Sequence, residues 1–161
     1  MHPDAAFQWH PAARLFDGKG QEYRPVAAGA VVIADRPSGA ALAQALAAPQ
    51  GFRIGGDGPP PAPGPQPMFE TLTSGSTGAP RRIRRSQASW IASFVVNARL
   101  FGIGPGARVA VLGRLVQSLS LYGATEALHL GATAFLLDDL RPDRQRRALW
   151  PDEPPDRLSG P

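Results

Sequence analysis

The chain has 161 residues, 43% of them hydrophobic, with a formal charge of +4, 18 glycines, 18 prolines and no cysteine. That length suffices for one domain with a buried core, and the glycine and proline content requires long irregular stretches. Disulfide scaffolding is excluded, no apolar run is long enough to span a bilayer, and Met1-His2-Pro3-Asp4 is no charged-then-apolar leader, so a cytoplasmic protein without membrane partners is expected.

The basic residues are nearly all arginine, with Lys19 the single lysine, and they concentrate at 81–85 and 141–147. Clusters of this kind leave open a non-enzymatic module that binds nucleic acid or another polyanion.

In chain order, residues 1 to about 25 carry Phe7, Trp9, Leu15, Phe16 and Tyr23 without a clear period and read as a loosely structured leading segment. Residues 30–34 are a short apolar run ended by Asp35, as in a buried strand. Ser38 is placed to cap a helix over 39–48, with Leu42 and Leu46 on one face and Pro49 as its stop. A short strand is predicted over 52–54. Residues 55–67, Gly-Gly-Asp-Gly-Pro-Pro-Pro-Ala-Pro-Gly-Pro-Gln-Pro, favour an extended, solvated linker. This organisation predicts a small N-terminal α/β unit over 1–54, a linker over 55–67, a second α/β unit over 68–149 and a tail over 150–161.

The second unit opens with a strand over 68–72, followed by Thr73-Ser74-Gly75-Ser76-Thr77-Gly78-Ala79-Pro80-Arg81. Glycines let backbone N–H groups approach anionic oxygens closely, hydroxyls donate further hydrogen bonds, and a cation offsets charge, which together suit a phosphate cradle. Ser86 is placed to cap a helix over 87–101. Trp90, Ile91, Phe94, Val95, Ala98 and Phe101 fall on one face of that helix, Ser89, Ser93 and Asn97 on another, and Gly102 stops it. A strand over 108–112, a loop over 113–118, a helix over 119–130 ended by Gly131 and a strand over 133–137 complete an α/β alternation, which predicts helices layered on a largely parallel sheet. Residues 141–149 read as a short amphipathic segment and 150–161 as a proline-broken, disordered or out-of-frame tail.

The 73–81 motif resembles the phosphate-binding loop of the adenylate-forming superfamily, which includes acyl-CoA synthetases and adenylation domains, with Arg81 where the family carries lysine. The later Gly102-Ile103-Gly104-Pro105-Gly106-Ala107-Arg108-Val109 and Gly131-Ala132-Thr133 also resemble family elements, so the resemblance covers about residues 68 to 140. It implies part of the N-terminal domain of that fold. It further implies ATP with Mg²⁺, a small carboxylic acid as substrate, formation of an acyl-adenylate and, with coenzyme A as possible co-substrate, a thioester.

By the same resemblance Thr73, Ser74, Gly75, Ser76, Thr77 and Gly78 would wrap the β- and γ-phosphates. Arg81 reads either as the cation of that loop or as a solvated surface arginine. Where the family often places a histidine in the carboxylate pocket, this chain has Gln117, read either as its neutral substitute or as an ordinary polar loop residue. Tyr122-Gly123-Ala124-Thr125-Glu126 spells a family adenine- and Mg²⁺-binding motif, but within an apolar stretch that reads as a buried helix. The family's ribose-binding aspartate motif and late catalytic lysine have no counterparts, so a truncated domain without full turnover is expected. No catalytic residue is assigned, and the scattered His2, His10 and His129 assemble no metal site.

Overall fold

The computed structural model describes residues 5–48, 50–73 and 78–151. The elements run β1 (Arg14–Asp17), β2 (Glu22–Tyr23), β3 (Val32–Ile33), α1 (Ser38–Ala47), β4 (Gly51–Ile54), β5 (Met68–Thr73), β6 (Arg81–Ser86), α2 (Gln87–Phe101), β7 (Arg108–Val111), α3 (Ser118–Leu130), β8 (Thr133–Leu136) and α4 (Pro142–Leu149). They build two four-stranded sheets, ordered β2-β1-β8-β7 and β3-β4-β5-β6. The pairs β1–β8, β7–β8, β3–β4 and β4–β5 are parallel, whereas β1–β2 and β5–β6 are antiparallel hairpins. The expected α/β layering with largely parallel pairing is therefore present, as two mixed sheets.

Helices α1 and α3 touch strands of both sheets and fill the layer between them. The core follows from strand alternation. Leu15, Ala134, Leu136 and Val111 face inward from one sheet, and Ile33, Phe52 and Phe69 from the other, onto Leu42, Leu121, Ala124 and Leu128 of the helices. An aromatic chain runs through it: Phe69 lies 4.4 Å from Trp90 and 5.4 Å from Phe7, and Trp90 and Phe94 meet Tyr122 edge-on at 5.0 and 5.1 Å. Such tilted and edge-to-face contacts add to the hydrophobic gain of burial.

The leading segment is not loose. It supplies β1 and β2, and Phe7 is buried in the core with its backbone N–H donating to Gln87 Oε1 at 2.8 Å, while Gln87 Nε2 donates to the Met68 carbonyl at 3.1 Å. Its aromatics lacked a period because they serve different layers. Residues 55–67 connect β4 to β5, neighbours in one sheet, and both sheets combine strands from either side of this segment.

Two local expectations are corrected. Ser38 does not cap α1; Pro37 holds the N-cap position and the Ser38 hydroxyl donates to Asp138 Oδ1 at 2.8 Å. On α2, whose Ser86 cap and left-handed Gly102 stop are as expected, Val95 and Phe101 are exposed instead of packed. The helix leans on α3 along its Trp90–Phe94 side, and Ser93 and Asn97 also reach α3: Ser93 Oγ lies 2.6 Å from the Tyr122 hydroxyl, and Asn97 Nδ2 donates to Tyr122 and to Glu126 Oε2. The expected stop at Pro49 and the tail from 152 onward lie outside the described residues.

Two outcomes test this packing. Phe69→Ala should lower unfolding free energy by about 3–5 kcal/mol in urea titration, and a loss below about 1 kcal/mol would contradict the placement of Phe69 at the core centre. Burial, with His10 nearby, holds the His129 imidazole below its ordinary value of 6.5, and its Nδ1 accepts from the Gln8 N–H. The unfolded chain therefore takes up this proton first. Stability should fall as pH drops through 6.5 toward the depressed folded value, and His129→Gln should flatten that part of the profile.

Candidate functional site

The phosphate-loop motif joins the two strands of the β5–β6 hairpin. Six paired positions run from Met68↔Ser86 to Thr73↔Arg81, so the hairpin register fixes both ends of the loop. At its mouth the Thr73 hydroxyl donates to the Arg81 carbonyl at 3.3 Å. Ser74, Gly75, Ser76 and Thr77 lie outside the described residues. Gly78 has φ +88°, a left-handed backbone where a side chain would be strained, and no neighbour lies within 4 Å of where its Cβ would sit. Gly78 is exposed.

The arginine run at 81–85 lies in the edge strand β6. Charged side chains on an exposed edge discourage pairing with other chains. They do not all do the same work. Arg82 donates to the Asp57 carbonyl and Arg84 Nη2 to the Ala62 carbonyl at 2.8 Å, so both hold the glycine- and proline-rich segment against the sheet. Arg81 and Arg85, on the other side of the strand by alternation, have no acidic partner among the described residues. Arg81 thus stands at the loop mouth with no ion pair among the described residues.

Under the hairpin lies a network that sequence reasoning missed. Arg53, only 3% exposed, donates to the carbonyls of Gly55 (3.0 Å), Pro59 (2.6 Å) and Gly58 (3.2 Å). Glu70 of β5 supplies the counter-charge, with Oε2 3.8 Å from Arg53 Nη1 and 3.7 Å from Arg82 Nε. A buried charge is tolerated only when paired and hydrogen-bonded, and the planar guanidinium fork meets three carbonyls that an ammonium could not span. A cavity of about 10 Å³ bounded by Arg53, Arg82, Thr71 and Val116 leaves room for one water at most. The available signal was Glu70, a lone acid in an apolar strand with arginines on both flanks.

The loop after β7 reaches the same place. Leu72 N–H donates to the Val116 carbonyl at 3.2 Å, Leu72 bridges Gln117 in parallel, and Arg114 pairs with Asp35. Gln117 occupies the N-cap position of α3 and makes no side-chain capping bond. It stands beside the last residues of β5, next to the loop mouth. Tyr122 to Glu126 lies elsewhere, inside α3, with Thr125 and Glu126 buried. Burial pushes the Tyr122 hydroxyl pKa up, and its ring packs between Trp90 and Phe94, so the motif there is a structural helix turn and not a nucleotide loop.

The glycine- and hydroxyl-rich loop is thus bounded by Thr73 and Gly78, with Arg81 opposite Thr73 in the hairpin register. No family model matches the chain. Over 83 residues, 52% of its length, it is 39% identical to the uncharacterized acyl-CoA ligase YhfT of Bacillus subtilis (strain 168) and covers 17% of that protein. Among solved structures, the acyl-CoA synthetase (AMP-forming)/AMP-acid ligase II-like protein of Dyadobacter fermentans DSM 18053 aligns at 27% identity over 43% of this chain and 20% of that one, with TM-score 0.39. CmiS6 shares the fold at TM-score 0.51 and 20% identity, over 87% of this chain and 51% of that one. The chain thus spans about a sixth of the length of that curated relative, and over that part it is similar to acyl-CoA ligases. Among the described residues no helix is long and apolar enough to cross a membrane.

The buried network predicts a specific loss. Arg53→Met leaves three carbonyls without their donor and Glu70 with Arg82 as its remaining counter-charge, and should cost about 3–5 kcal/mol of stability, with faster proteolysis within 55–67. Arg53→Lys should recover little of it. Full stability of Arg53→Lys in denaturant titration would contradict the clamp.

Proposed function

We propose that the segment from β5 to β8 is the polyphosphate-binding portion of an ATP-dependent, carboxylate-activating ligase. One observation carries the reading: the β5–β6 hairpin brackets the 73–81 loop, with Gly78 exposed and Arg81 without an ion pair among the described residues, while Arg82 and Arg84 are engaged by the chain itself. ATP, with Mg²⁺, supplies the α-phosphate that a carboxylate attacks, giving an acyl-adenylate and pyrophosphate; transfer of the acyl group to coenzyme A would follow.

In this reading the backbone N–H groups and hydroxyls of Thr73, Ser74, Gly75, Ser76, Thr77 and Gly78 hold the β- and γ-phosphates. Arg81 offsets the charge that grows as pyrophosphate departs, where donors fixed in advance are worth most. Gln117, held beside β5 by the Leu72 bridge, donates its amide to the carboxylate. Adenine stacking by Tyr122 is not part of the proposal, because that ring is packed into the core. The isolated 161-residue chain should bind the polyphosphate tail yet show no carboxylate-dependent ATP–pyrophosphate exchange.

The rival polyanion-binding reading is weakened by Arg82 and Arg84, whose donors are directed at the protein's own carbonyls. In calorimetric titration with pyrophosphate, Arg81→Ala should weaken binding about tenfold, the effect of losing one charge-assisted contact of about 1.4 kcal/mol. Gly78→Val should abolish it. Retention of affinity in both variants, or equal loss on replacing Arg144 and Arg147, would refute this reading in favour of diffuse polyanion binding.

A further inference from the structure

The outer face of the β2-β1-β8-β7 sheet carries a second site, remote from the loop, which ends the other sheet. By alternation the residues facing away from the core are Arg14, Phe16, Thr133, Phe135, Arg108 and Ala110. Phe16 and Phe135 stack at 5.6 Å, with Arg14 over the first ring at 4.9 Å and Arg108 over the second at 5.0 Å. Helix α4 closes one side of this face. Gln145 Nε2 donates to the Leu112 and Leu137 carbonyls, which ties the helix to the ends of β7 and β8 and leaves a groove of about 560 Å³ between helix and sheet. That volume lies in the range of small-molecule sites, roughly 300–1,000 Å³.

The charges of the groove select the ligand. Its floor and walls are apolar, formed by Ala110, Phe135, Leu137, Ala148 and Leu149. Of the two arginines on the face, Arg14 pairs with Glu22 at 2.8 Å, a carboxylate it shares with Arg24, whereas Arg108 has no acidic partner among the described residues. The groove's carboxylate, Asp17, accepts from the Lys19 and Gln21 N–H groups in its own turn and lies three register positions further along the strands, about 10 Å away in that direction. One free planar guanidinium at one end of an apolar trough matches one planar anion on an apolar body.

We propose that this groove binds a small amphipathic monocarboxylate, its carboxylate on the Arg108 guanidinium and its apolar body along Ala110, Phe135 and Leu149. A single guanidinium fork is the natural complement of a carboxylate. Because the site is on the outer face of the other sheet, its ligand is not the carboxylate to be activated, and the site stands independently of the phosphate-loop proposal.

The test is calorimetric titration of the full 161-residue chain with 2-naphthoate and, as a neutral control, 2-naphthylmethanol, alongside ¹H–¹⁵N chemical-shift mapping. The expected result is 2-naphthoate binding with shifts confined to 108–110, 135–137 and 148–149, at least tenfold weaker in Arg108→Gln and for the neutral control. Ala110→Trp, which fills the trough at an exposed position, should remove binding while circular dichroism stays unchanged, and Gly78→Val should leave it intact. Equal affinity in Arg108→Gln, equal affinity of the neutral control, shifts elsewhere, or no binding up to about 5 mM would each overturn the proposal.

Discussion

Everything about the candidate site depends on how β5 is held. It pairs parallel to β4 on one side and antiparallel to β6 on the other, and its Phe69 side chain is fully buried against Phe7, Phe52 and Trp90. Because the β5–β6 register is complete from Met68 to Thr73, the two ends of the 73–81 loop are set opposite each other. The leading segment contributes to the same end through Gln87, which joins Phe7 to Met68.

The arginines show how position divides one residue type into different tasks. Arg53 is buried and satisfied by three carbonyls and Glu70; Arg82 and Arg84 fasten the covering segment; Arg81, opposite Thr73, has no ion pair among the described residues. A guanidinium at Arg81 keeps the charge that lysine would provide but is planar and more weakly hydrated, so its contact with a phosphate would be directional. Placing the loop beside the Leu72–Gln117 bridge brings a neutral amide into the same corner.

Local signals were legible where the chain supplies its own boundaries. Ser86 and Gly102 delimit α2 to the residue, and Gly131 ends α3, because capping is decided within a few residues. The loop motif could be read from residue types alone. By contrast, β6 could not be seen in Arg81-Arg82-Ile83-Arg84-Arg85, whose strand character comes from pairing with β5 and not from any hydrophobic alternation. Arg53 looked like a polar residue on a short strand, and only the path of 55–67 across it explains its burial. The pairing of β1 with β8, far apart in sequence, likewise gave no local sign. Composition marked 55–67 as irregular but carried no information on which strands meet across it.

The most direct test of the central claim is hydrogen–deuterium exchange of the 161-residue chain with and without pyrophosphate. The account predicts slowed exchange confined to the backbone amides of 73–81, with the flanking β5–β6 ladder already protected in the free protein. Protection spread over the arginines of α4, or none within 73–81, would contradict it.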